Sequence, residues 1–139
     1  MKKSLFVGAV TLVAALWIPN ASAELVVVTN VGAKFSTLKQ SQLTRLFLGQ
    51  SNSLPDGSAA IPLDVSGERN TFYNELLKKA PEQLEKYWAR MIFTGKAQMP
   101  RQVAPRDIKS TVADTPGAIS YMERTAVDSS VKMITITAD

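Results

Sequence analysis

The sequence contains no cysteine and no histidine among its 139 residues. Without these residues the chain has no Ser-His-Asp triad, no thiol nucleophile, no imidazole base and none of the usual zinc sites. Disulfides are excluded too, so packing alone must stabilise the fold. Acid–base chemistry would fall to carboxylates, lysine or tyrosine, and no pair of carboxylates stands in a motif setting. We therefore expect a protein that is not an enzyme and that uses neither a metal nor a cofactor.

Long hydrophobic runs are absent except at the N-terminus. Met1-Lys2-Lys3 forms a short basic start, residues 5–18 are almost entirely apolar, and small residues follow at Ala21-Ser22-Ala23. The apolar run is shorter than the roughly 20 residues that a membrane-spanning helix needs. The pattern predicts a secretory signal peptide over residues 1–23 and a periplasmic protein that starts at Glu24. An uncleaved N-terminal anchor is the alternative.

Excess charge is also small in the remaining 116 residues. Without Lys2 and Lys3 the chain carries 14 basic and 12 acidic side chains, a net charge of +2. It has no run of lysine and arginine of the kind that binds phosphate backbones, so we expect no nucleic-acid partner. This length lies near the usual size of one domain, which predicts a single domain over residues 24–139.

Short β-branched runs alternate with helical patterns along this domain. The uninterrupted apolar run at residues 25–29 is typical of a strand buried on both faces, as in parallel sheets. Pro62 lacks an amide donor, so its strand should be irregular or near a sheet edge. Further strands are predicted at residues 60–65, 118–122 and 131–137, with a short one near 103–104. Helices are predicted at residues 40–48, 81–94 and 105–113, and another helix should end near residue 79. The alternation predicts a small α/β domain whose mainly parallel or mixed sheet is flanked by helices.

One predicted helix carries a stripe of aromatic and methionine residues. Such a face more often packs in a core than binds a ligand. The stripe consists of Leu84, Tyr87, Trp88, Met91 and Ile92.

Two polar loops follow predicted strands, at residues 29–32 and 64–71. In an open α/β sheet the ligand crevice lies beyond the carboxyl ends of the strands, so both loops are candidates. In the second loop Gly67 lets backbone amides approach an oxyanion, the hydroxyls of Ser66 and Thr71 can donate, and Arg69 adds charged donors. An ordinary helix cap at Ser66 with a solvated Arg69 is the alternative interpretation. Asp64 would repel a fully ionised anion but could accept the proton of a monoprotonated one.

Several motifs occur in order along the chain: QLTRLFLG at residues 42–49, LPDG at 54–57, a strand that reaches Asp64, and PGAISY at 116–121. Together they resemble the periplasmic phosphate-binding proteins of ABC transporters, which have the type II periplasmic binding protein fold. The stretch YWARMIFTGK at residues 87–96 is similar to a small single-lobe branch of that family. The resemblance implies one lobe of a two-lobed receptor and a phosphate or related oxyanion as ligand.

The resemblance also implies a set of ligand-binding residues. Ser66 and Gly67 match the Ser-Gly pair of the family's phosphate loop, and Thr71 matches its threonine approximately. The family's arginine before this pair has no counterpart, and Arg69 could replace it only from the helix side. The full candidate set is Thr29, Asn30, Ser66, Gly67, Arg69, Asn70 and Thr71.

Two functions follow from a single lobe. The first is a solute-binding-like protein associated with ABC-type phosphate transport, in which a homodimer mate acts as the second lobe. The second is an envelope interaction or regulatory module without tight small-ligand binding, whose contacts would lie at residues 48–60 and 99–101. An anion on one exposed lobe competes with water, which weakens each charged hydrogen bond.

Overall fold

The computed structural model of the chain describes residues 24–139. The predicted signal peptide, residues 1–23, lies outside the described residues and stays a prediction. The described residues contain strands β1 (Leu25–Thr29), β2 (Thr37–Lys39), β3 (Ile61–Val65), β4 (Arg101–Val103), β5 (Ala118–Glu123) and β6 (Lys132–Thr137), and helices α1 (Gln40–Phe47), α2 (Arg69–Glu75), α3 (Pro81–Thr94) and α4 (Pro105–Asp114). Within residues 24–139 no helix is long and apolar enough to cross a membrane.

The strands form one sheet in the order β2-β6-β1-β5-β3-β4. Strand β1 runs antiparallel to both of its neighbours, β5 and β6. The pairs β2–β6, β3–β4 and β3–β5 are parallel. The prediction of an α/β domain with a mixed sheet is therefore confirmed, but the parallel environment inferred for residues 25–29 is wrong. Every residue of β1 is buried because both faces of the sheet are covered, and this does not depend on strand direction.

Pro62 lies at an edge of the sheet, at the N-terminal end of β3, as its missing amide donor predicts. Pro62 pairs with Ile119 of β5, whereas β4 begins its pairing only at Leu63. Because β4 is three residues long, the first part of β3 is an edge and needs no amide donor on that side. Strand β2 was missed by the sequence analysis because its three residues include a single buried one, Leu38, which is too short a pattern to show alternation.

The helices agree with the sequence patterns except at their ends. Helix α1 buries Leu43, Leu46 and Phe47, and Gly49 follows it with a left-handed φ of 70°. Helix α2 ends at Glu75, earlier than predicted, because Lys78 turns the chain with a φ of 56°. On α3 the predicted core stripe holds for most positions, but Ile92 at its C-terminal end is 57% exposed.

An aromatic cluster joins α1 and α2 to the sheet. The rings of Phe72 and Tyr121 stack with centroids 3.8 Å apart, and Phe47 lies 4.7 Å from Phe72. Tyr73 meets Phe72 edge-on at 5.6 Å. All four side chains are fully buried, so they fix α2 and the loop before it against β5.

Candidate functional site

The two candidate loops lie at opposite ends of the sheet. Asn30 donates its backbone amide to Ala118, the first residue of β5, and β5 begins beside Ile61, the first residue of β3. Ser66 follows the other end of β3, roughly 16 Å further along at about 3.3 Å per residue. The two loops therefore do not share one crevice, because β1 runs antiparallel to β5 and so ends where β3 begins.

The side chains at the end of β1 are directed into the fold. Asn30 Nδ2 donates to the carbonyl oxygens of Val112 and Ala113, each at 3.0 Å, at the C-terminal end of α4. Its Oδ1 accepts from the amide of Gly32 at 2.9 Å. Thr29 is fully buried, and its hydroxyl has no partner among the described residues. Asn30 thus satisfies helix-end carbonyls, and both of these side chains are separate from the loop at residues 66–71.

The loop between β3 and α2 is built on a tight turn. Gly67 has a φ of 81°, a left-handed conformation that glycine adopts without steric cost. The amide of Ser66 donates to Val103 of β4, and that of Glu68 donates to Val65. Glu68 is the N-cap of α2 and makes no side-chain cap hydrogen bond, so Ser66 is not the helix cap. Gly67, Asn70 and Thr71 are exposed, and Ser66 is half-buried.

Beneath this loop a carboxylate is completely enclosed. Asp64 is 0% exposed and accepts hydrogen bonds from Arg69 Nε at 3.2 Å, Tyr121 Oη at 3.1 Å and Tyr73 Oη at 3.4 Å. Burial raises the pKa of Asp64, and the Arg69 charge and the three hydrogen bonds oppose that rise. Because no part of Asp64 reaches the surface, it positions Arg69 and the two tyrosines and is not available to accept a proton from a ligand.

Arg69, the first residue of α2, is the charged donor beside the turn. Its Nε is paired with Asp64, its guanidinium lies 5.1 Å from the centre of the Tyr73 ring, and its side chain is 20% exposed. Nη2 is buried and has no hydrogen-bond partner among the described residues. The alternative of a solvated Arg69 is therefore wrong: the guanidinium is fixed and keeps an unused donor.

Two carboxylates adjoin the loop as well. Glu68 and Glu123 line a cleft of about 410 Å³ beyond the ends of β3 and β5, together with Arg106 and Lys109 of α4. Burial and the charge of Glu123 raise the pKa of Glu68. Lys109 lies 2.9 Å from Asp128 and Arg106 lies 3.7 Å from Asp107, so both cations already have a carboxylate partner. An anion in this cleft would meet both attraction and repulsion.

Sequence reasoning missed most of the surroundings of Arg69. The sequence places Tyr73 only in a predicted helix and Tyr121 only in a motif, yet both donate to Asp64. Tyr121 is 57 residues from Asp64 in sequence, so no local pattern links them. Among the described residues no group of three or more acidic side chains could hold a metal ion.

Comparisons with known proteins find similar folds among solved structures. No family model matches the chain, and no curated protein matches it in sequence. Solved structures do match. A phosphate ABC transporter substrate-binding protein with bound phosphate from Clostridium perfringens has a TM-score of 0.62 and 15% identity over 81% of this chain and 44% of that one.

The fold is that of one lobe of a periplasmic binding protein. Two further structures agree with this. PstS from Borrelia burgdorferi has a TM-score of 0.60 and 13% identity over 81% of this chain and 47% of that one. An ABC-type phosphate transport receptor from Vibrio cholerae has a TM-score of 0.55 and 15% identity over 81% of this chain and 45% of that one. The chain thus spans less than half the length of the structures it matches.

Proposed function

We propose that this protein is a periplasmic, non-catalytic solute-binding-like protein that holds phosphate or a related oxyanion at residues 66–71. The observation that carries the proposal is the exposed left-handed turn at Gly67, beside the fixed guanidinium of Arg69, whose side chain is 20% exposed. The fold supports the proposal, because the matched proteins named above are phosphate-binding proteins of transport systems.

The ligand would be held mainly by backbone and hydroxyl donors. Gly67 is exposed, and a Cβ added to it would meet nothing within 4 Å, so an anion can approach the backbone there. Ser66, Asn70 and Thr71 supply side-chain donors around the same turn. Asp64 neutralises much of the Arg69 charge, so we expect binding weaker than that of a free guanidinium.

The proposed partners follow from the single lobe that residues 24–139 form. A second copy of the chain would cover the loop and exclude water, which strengthens charged hydrogen bonds. We propose this homodimer as the ligand-binding form and a transporter membrane component as its partner. Sedimentation of residues 24–139 with and without phosphate tests the dimer, and a monomer in both conditions would remove it.

Calorimetric titration of residues 24–139 with phosphate and with sulfate tests the oxyanion site. We expect saturable heat with phosphate, and a loss of roughly tenfold or more in affinity in the Ser66→Ala/Thr71→Ala variant, since two hydroxyl donors are removed. The matched control is Thr94→Ala/Ser110→Ala, which removes two exposed hydroxyls elsewhere. No heat with either anion, or equal loss in the two variants, would reject the proposal.

An exposed apolar helix end favours the second function, an envelope interaction module. Phe93 is 91% exposed and Ile92 is 57% exposed at the C-terminal end of α3. Of the contact regions expected from the sequence, residues 48–60 are partly fixed by the buried Leu54 and by the Ser53–Ala59 bridge. A photo-crosslinking residue at position 93 tests the module in cells. One recurring adduct that is absent with the probe at Lys34 would support it, and no adduct would exclude it.

A further inference from the structure

A second cleft, away from the 66–71 loop, is lined by cations. It is an open depression of about 430 Å³ between α3 and the residues that follow α1. Lys79, Lys86 and Arg90 line it, and no acidic residue does. Leu48, Leu84 and Tyr87 supply an apolar wall.

The three cations have no carboxylate partner. The ion pairs within residues 24–139 involve other basic residues, and none includes Lys79, Lys86 or Arg90. Glu82 lies one turn before Lys86, where a helix pair is favourable, yet none of its oxygens is within 4 Å. Positive charge therefore collects in the cleft without internal compensation.

Two of these cations lie on α3 at a spacing that destabilises the helix. Lys86 and Arg90 are four residues apart, so they lie on one face, and like charges at that spacing destabilise a helix by roughly 0.2–0.5 kcal/mol. A bound anion would remove this repulsion. The arrangement is therefore unfavourable for the helix alone and becomes favourable when an anion is bound.

A neutral donor completes the lining. Gln83 Oε1 accepts the amide of Ala80 at 3.2 Å, which fixes the side-chain amide and leaves its Nε2 hydrogens for another acceptor. Gln83, Lys86 and Arg90 follow one another at helical spacing on the same side of α3. Donors are thus distributed along the cleft and not gathered at one point.

We infer that this cleft binds a compact polyanion with several phosphate groups in series, at a site separate from the 66–71 loop. Lys86 and Arg90 lie roughly 6 Å apart along the axis of α3, and Lys79 precedes the first residue of that helix. One inorganic phosphate could contact only neighbouring cations, whereas a chain of linked phosphates can contact all three. Lys86 and Arg90 are exposed, so an ion can reach them directly from solvent.

Titration of residues 24–139 with tripolyphosphate tests the site directly. Trp88 is the only tryptophan in this range, and its ring lies 5.0 Å from that of Tyr87, so its fluorescence should change on binding. We expect saturable binding of one ion per chain that weakens with added salt. Inorganic phosphate should bind the cleft at least roughly tenfold more weakly, because it reaches fewer cations.

Paired variants separate this cleft from general charge and from the oxyanion loop. Lys86→Gln/Arg90→Gln should weaken tripolyphosphate roughly tenfold or more, whereas Lys34→Gln/Lys39→Gln, which removes two exposed cations elsewhere, should change it by less than about twofold. Ser66→Ala/Thr71→Ala should leave it unchanged, so this site and the proposed phosphate loop can fail independently.

Three results would overturn the inference. The first is the absence of saturable binding, and the second is equal loss in the two lysine-containing pairs. The third is binding to vesicles of equal parts phosphatidylglycerol and phosphatidylcholine without binding of free tripolyphosphate, which would assign the cations to a membrane surface.

Discussion

Arg69 Nε lies 3.2 Å from Asp64 Oδ2, and this pair joins the exposed loop at residues 66–71 to the aromatic core. Asp64 is also bonded to Tyr121 and Tyr73, whose rings pack with Phe72. These contacts restrain the loop against the core, and the guanidinium is in position before a ligand binds. Such preorganisation lowers the entropic cost of binding.

Breaking this pair from one side should be costly. Arg69→Gln leaves Asp64 as a buried, unpaired carboxylate, and we expect a loss of about 3 kcal/mol in the free energy of unfolding. Asp64→Asn/Arg69→Gln removes both charges and should cost less than Arg69→Gln alone. Urea denaturation measures both variants, and a double variant less stable than the single one would show that the pair is not a compensated buried charge.

The acidic neighbour of the loop should oppose both folding and phosphate binding at neutral pH. Burial and Glu123 raise the pKa of Glu68 above 4.5, so the folded chain holds this proton more tightly than the unfolded chain. The contribution of Glu68 to stability is therefore greatest below pH 4.5 and is lost as the pH rises through the raised value. Glu68→Gln should be more stable than the unmodified chain at pH 7 but not at pH 4, in denaturation at both pH values.

The same variant should bind phosphate more tightly at pH 7, because one repelling charge is removed. Glu85→Gln, an exposed carboxylate on α3, is the matched control and should change neither quantity. Unchanged or weaker phosphate affinity in Glu68→Gln would mean that the ligand does not approach this turn.

Asn30 should matter for stability and not for ligand binding. Asn30→Ala removes two hydrogen bonds to the end of α4 and one from Gly32, and we expect it to cost roughly 2 kcal/mol. Asn52→Ala, an exposed control, should stay within about 0.5 kcal/mol. Thermal unfolding gives the stabilities and calorimetry the phosphate affinity. A selective loss of affinity in Asn30→Ala with unchanged stability would restore Asn30 to the binding site.

Lys78 holds a backbone conformation that glycine adopts more easily. Its φ of 56° is the only positive value at a non-glycine residue between residues 24 and 139. A left-handed conformation costs an L-residue roughly 1 kcal/mol, so Lys78→Gly should raise the free energy of unfolding by about 0.5–1 kcal/mol. Lys79→Gly has no such strain to relieve and should give no gain in the same denaturation series.

Local patterns predicted the elements, while the site depended on distant residues. The apolar run at residues 25–29 identified β1 and its burial, but strand direction is set by pairing with β5 and β6, about 90 and 105 residues away. That direction separates Asn30 from Ser66. The partners of Asp64 could not be predicted from local sequence either, because Tyr121 comes close to it only in the folded chain.

Perturbation of backbone amide signals by phosphate tests the central claim most directly. In a ¹⁵N-labelled chain of residues 24–139, the proposed site predicts saturable shifts at the amides of Gly67, Arg69, Asn70 and Thr71, and none at Asn30 or Gly32. The Arg69 side-chain signal should move with them, because its guanidinium is 20% exposed and lies beside the turn. If phosphate leaves these amide signals unchanged, or shifts only signals of residues elsewhere, the result would contradict an oxyanion site at this turn.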